Sequence, residues 1–263
     1  MNALLAAKAI IGRELARFFT QRERFLAALV RPLVWLFVFA AGFRAALGLS
    51  IIPPYQTYIT YETYIVPGLC GMILLFSGMQ SSLSLVNDRE SGAMRLLLTA
   101  PRPRWFLLGA KLVAGASVGL LQVAAFLVIA YFYGLKFSAG GYLAALPAFV
   151  MAGVMLGALG LFLSARIRQL ENFAGVMNFV IFPMFFLSTA LYPLWKMQES
   201  SLLLANLCRA NPFTHAVELI RFALYGQLNL PALGWTVLSA IVFFGLALHG
   251  YEPARTRSGR RPD

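Results

Sequence analysis

Long apolar runs alternate with short charged ones along most of this chain. Six apolar runs can be marked off, at about 25–43, 62–86, 105–133, 143–165, 172–194 and 232–250. A helix of roughly 20 apolar residues crosses a bilayer, and a helix meets every backbone hydrogen-bonding need internally. The pattern therefore predicts an all-α polytopic membrane protein with six transmembrane helices. Residues 1–24 carry a different period. Leu4, Ile11, Leu15 and Phe18 fall on one helical face, with Arg13, Arg17 and Arg24 opposite. Such an amphipathic helix lies in the interface plane, apolar side down.

Punctuation within the runs adds detail. Arg31-Pro32 stands near the start of the first run, where Arg snorkels to the headgroups and Pro kinks the first turns. Gly68, Gly71 and Gly78 in the second run and Gly153, Gly157 and Gly160 in the fourth suit close helix approach. Asn178 and Pro183 interrupt the fifth run, and they read either as an interhelical hydrogen bond with a kink or as substrate contacts. Tyr55, Tyr58, Tyr61 and Tyr64 precede the second run, as an interfacial belt or as a stacking platform for a sugar-containing substrate. Residues 195–231 hold no clean span. Asn211-Pro212 divides them into two short helices, short external re-entrant elements before the last span. Phe213, Val217, Ile220 and Leu224 share one face there, with Glu218 and Arg221 placed to pair on the other.

Composition removes the soluble alternatives. The chain has 263 residues, 60% hydrophobic and 12% charged, with a mean hydropathy of +0.74. Its net charge of +12 suggests anionic lipid more than nucleic acid, because the basic residues are interleaved with spans. With the N-terminus inside, seventeen Lys and Arg fall in inner segments, and only Arg44, Lys136, Lys196, Arg209 and Arg221 fall outside. Both termini are therefore expected in the cytoplasm. Cys70 and Cys208 imply no disulfide framework, and His215 and His249 have no metal-ligand or nucleophile partners at useful spacing. No catalytic or metal site is expected. The chain contains no G-x-x-x-x-G-K-[ST] stretch to cradle a nucleotide. The spans are nearly free of ionisable residues, Glu62 at the start of one being the nearest, so a proton- or sodium-driven carrier is disfavoured.

The most charged interior stretch, 87–111, carries Asp88, Arg89, Glu90, Arg95, Arg102, Arg104 and Lys111. Ser91 to Leu98 reads as a short helix with an apolar side, stopped by Pro101 and Pro103. The run Arg89-Glu90-Ser91-Gly92-Ala93-Met94-Arg95-Leu96-Leu97-Leu98-Thr99-Ala100-Pro101 resembles the loop between the second and third spans of ABC-2-type transporter permease subunits. Leu191-Tyr192-Pro193, then Asn211-Pro212 and Glu218 with Arg221, resembles that family's stretch before its last span.

The resemblance covers nearly the whole chain, and it implies one transmembrane domain over 1–263 that acts as a half-transporter of the bacterial inner membrane. It implies a dimer, with a second permease copy and two copies of a separate ATPase that holds the ATP and Mg; this chain would carry no cofactor. Residues 87–104 become a cytoplasmic coupling segment in which Glu90, Gly92, Met94, Arg95, Leu97, Leu98 and Pro101 meet the ATPase. Arg13, Arg17 and Phe18 on the first helix form a second contact. The external helices cap the exit, near Tyr58, Tyr61, Tyr64, Asn178 and Pro183, and residues 251–263 form a cytoplasmic tail. Family members export drugs, saccharides, polysaccharides and other amphiphiles. The competing classes are a membrane-embedded lipid-modifying enzyme, an assembly factor, and a scaffold whose charged elbow merely binds anionic lipid.

Overall fold

The computed structural model describes residues 3–20, 22–43, 54, 59–90, 103–167 and 169–251, and every regular element among them is helical. Helix α1 is Ala3–Thr20. Helix α2 begins at Arg22–Val34, widens into a π turn at Trp35–Phe39 and ends with Ala40–Phe43. There follow α3 (Tyr61–Glu90), α4 (Arg104–Phe132), α5 (Ala139–Arg166) and α6 (Leu170–Phe186). Three short helices, α7 (Leu194–Ser200), α8 (Leu202–Ala210) and α9 (Pro212–Leu224), lead to α10 (Leu230–Gly250).

Four of these, α3 (over Tyr61–Asn87), α4, α5 and α10, are long and apolar enough to cross a membrane. The other two expected crossings are shorter apolar helices, Ala28–Phe39 within α2 and Leu170–Phe186. The fifth run stops as a helix at Phe186, short of the expected 194. Residues 187–193 turn instead. Ser188 Oγ donates to Phe185 O at 2.6 Å, and the Asn211 amide donates to Met184 O at 2.8 Å and Leu187 O at 2.6 Å. These bonds satisfy carbonyls that a helix end leaves open. The stretch 195–231 also differs from expectation, holding three helices and not two. The unexpected break is at Ser201, whose backbone is extended (φ −162°, ψ 125°).

Helix α5 is the centre of the bundle, with α3, α10, α9 and α4 all packed on it. The glycine faces expected from sequence meet here. A Cβ at Gly78 would stand 2.9 Å from the Gly157 backbone, and one at Gly160 would stand 2.8 Å from Gly78 O. Only glycine allows α3 and α5 this close. In hydrocarbon, where burial gives no drive for association, such backbone proximity supplies the packing energy. At one end of the bundle Leu85, Leu108, Leu112, Leu161, Ala165 and Tyr251 form a small core. Arg104 Nη1 donates to Tyr251 O at 3.4 Å, and the Ser164 and Tyr251 hydroxyls lie 2.8 Å apart. Helix α1 packs on α4. Arg104 and Arg166 thus share an end, opposite α7–α9 and the start of α3.

Candidate functional site

Of the two contacts expected with an ATPase, α1 packs on α4, and 87–104 is described only at 87–90 and 103–104, where α3 ends and α4 begins. On α1, Ile11 and Leu15 are half-buried while Lys8 and Arg13 are exposed, as amphipathic spacing requires. Arg13 lies 3.7 Å from Glu14. Arg17 and Phe18 belong to the same helix, with side chains outside the described set. Glu90 is the last residue of α3, its side chain likewise undescribed. Gly92, Met94, Arg95, Leu97, Leu98 and Pro101 lie outside the described residues, as does Tyr58. Lys111 is drawn into α4 and buried, so it is not a loop charge. Arg31, expected near the start of its span, lays its guanidinium 3.8 Å over the ring of Phe76, near the middle of α3.

At the opposite end the expected exit residues part company. Asn178 and Pro183 are exposed on α6. Tyr61 and Tyr64 are buried, at 3% and 1% exposure, and neither ring forms an open platform. Tyr64 instead belongs to a polar node centred on Arg221. Sequence periodicity puts Arg221 on the outward face of α9, yet it is 2% exposed. Its guanidinium pairs with Glu218, donates from Nη2 to Thr189 O at 2.7 Å and lies 4.2 Å from the Tyr64 ring centroid. The Tyr64 hydroxyl donates to the same Thr189 carbonyl at 3.0 Å. One cation therefore joins α3, the 187–193 turn and α9.

Two more residues brace this end. Asn211 caps α9 by accepting from Phe213 N at 2.9 Å while its amide holds the end of α6. His215 stacks on Trp235 of α10 (centroids 5.5 Å, planes at 17°) and places Nε2 3.0 Å from Arg209 O. Thr189 and Trp235 carry no sequence signal for this role, because their partners lie far away in the chain. Glu218 with Arg221 and Asn211-Pro212 were legible.

The arrangement is a helical membrane scaffold with structural polar nodes. A family model described as ABC-2 type transporter matches residues 6–225. The chain is 28% identical over 227 residues to the protein named transport permease ycf38 of Pyropia yezoensis, covering 84% of this chain and 74% of that one. It is 29% identical over 170 residues to the multidrug ABC transporter permease YbhR of Escherichia coli (strain K12), covering 64% of this chain and 45% of that one. With every element from α1 to the end of α9 inside or overlapping the match, the chain belongs to the ABC-2 type transporter family.

Proposed function

We propose that this protein is the membrane half of an ATP-driven exporter, paired as a homodimer and powered by two copies of a separate ATPase. The family match over residues 6–225, which takes in the whole stretch between α3 and α4, carries this reading. The polypeptide crosses a bacterial inner membrane six times, α2 and α6 completing the four long helices, with both termini in the cytoplasm. Exposed apolar side chains on α2, α6 and α10, such as Val38, Phe179 and Ile241, suit contact with lipid or the second copy. ATP and Mg belong to the partner. The 87–104 segment and α1 receive its stroke, and α7–α9 close the outer end of the path. The path carries a hydrophobic, amphiphilic or saccharide-containing substrate, the class to which drugs belong. Purified without its partner, the protein is expected to hydrolyse no ATP above background; turnover that survives removal of contaminating ATPases would contradict the assignment.

The six-crossing topology has its own test. Cysteine at exposed Ser200, at the end of α7, is expected to react with an impermeant thiol reagent on intact cells. Cysteine at Ser258 should react only after permeabilisation. Ser138 is a poorer probe site, because its hydroxyl accepts from Gly141 N at 2.9 Å and caps α5. Native Cys208 is fully buried, and burial pushes its thiol pKa upward. Alkylation needs the thiolate, so Cys208 should label far more slowly at neutral pH and gain rate only as pH rises. Equal labelling of Ser200→Cys and Ser258→Cys on intact cells would overturn the topology.

A further inference from the structure

Beside the Arg221 node, a partly open cavity of about 310 Å³ lies between the start of α3, the 187–193 turn, the start of α7, α8 and α9. That is room for roughly ten waters or one ligand head group. Three polar atoms in its lining residues, Thr189 Oγ1, Trp195 Nε1 and Thr214 Oγ1, are buried without a hydrogen-bond partner among the described residues. Thr189 and Thr214 are each only 4% exposed. Buried polar atoms are rarely left unmet, and three in residues that line one cavity point to a guest toward which these side chains turn.

The chemistry of the wall selects the guest. Indole N–H can only donate, a guanidinium can only donate, and hydroxyls can donate. Arg209 and Arg221 against Glu218 leave one net positive charge among these lining residues. A donor-rich, singly positive cavity matches a singly charged oxyanion with several acceptor oxygens. Helix α8, which brings Arg209, also presents exposed Leu202, Leu203 and Leu207, an apolar surface for a tail. We propose that this cavity binds a phosphate-ester monoanion, from the head of an amphiphile or from a soluble ester. The site goes beyond the transport reading, and only the membrane face on which it opens depends on that reading.

The test uses the full chain in a polyoxyethylene-ether detergent, free of sugar, with bound ligand counted by native mass spectrometry and no ATPase present. Dihexanoyl phosphatidylglycerol is expected to saturate one site per chain. Trp195→Phe and Thr214→Val should each weaken it about fivefold or more, and Arg209→Gln about tenfold, since bonds to charged groups are the strong ones. Leu246→Ala, on the exposed face of α10, should change nothing. Because Thr214→Val is near-isosteric and deletes an orphaned polar atom, it should melt no lower than the parent, which separates lost binding from lost folding. Glycerophosphoglycerol binding as tightly as the lipid assigns the site to a soluble ester, and much weaker binding assigns it to a lipid; either keeps the phosphate-ester site. Unchanged affinity in the Trp195→Phe/Thr214→Val double variant would overturn the proposal. So would equal competition by neutral octyl glucoside.

Discussion

Replacing Leu97 and Leu98 together by Asp is expected to yield a normally inserted protein that neither co-purifies with its ATPase nor transports. Both residues lie outside the described set, between α3 and α4, so the expectation rests on the coupling role proposed for 87–104. A short helix that seats its apolar side in a groove concentrates binding energy in a few side chains. Two unpaired carboxylates in that groove cost several kcal/mol, and about 3 kcal/mol already weakens association more than a hundredfold. Insertion is expected to be spared, because the coupling role proposed for 87–104 keeps the segment out of hydrocarbon. The lipid-anchoring alternative predicts a different outcome, in which charge reversal at Arg102 outweighs the leucine change and binding falls steeply with salt. Arg104 is a poor probe of that alternative, since its guanidinium also holds the Tyr251 carbonyl at the end of α10. A leucine double variant that still retains its ATPase and still transports would remove the coupling assignment. Co-purification and vesicle transport are the two readouts.

The parts of this architecture visible in the sequence are those fixed by local pattern. Apolar length marks α3, α4, α5 and α10, and the glycines of the second and fourth runs do meet, at Gly78 with Gly157 and Gly160. Asn211-Pro212 marks the start of α9, where an Asn cap and a Pro in the first turn both favour initiation. What local pattern missed depends on distant partners. The end of α6 at Phe186 follows no breaker that differs from Pro183, three residues earlier and inside the helix. It is held by Asn211, more than twenty residues later. The break at Ser201 has no Gly or Pro beside it. Tyr64 reads as interfacial because tyrosines near span ends usually are. Its burial follows from Thr189 and Arg221, which reach it only in the folded bundle.

Arg221→Met is expected to destabilise the protein by about 3–5 kcal/mol, the range for removing one member of a buried ion pair. The cost does not come mainly from the lost hydrogen bond at Thr189, because Tyr64 still donates to that carbonyl. It comes from Glu218, left with its charge at a partly buried position where its side chain is 23% exposed. Glu218→Leu should also destabilise, since it removes the carboxylate that pairs with Arg221, the more deeply buried partner at 2%. Removing both charges by Arg221→Met with Glu218→Leu should recover most of the loss, as apolar replacements of a whole buried pair are often close to neutral. The double variant is thus expected to melt above either single one, a strongly non-additive result for two side chains in contact. Arg221→Lys should fall between, because an ammonium keeps the charge but cannot serve Glu218 and Thr189 with one planar fork. Thermal melts of the four purified variants in one detergent decide the matter. If the double variant loses the sum of the two single losses, the node is held by fit alone, and the charge-balance account of why α3, the 187–193 turn and α9 stay together fails.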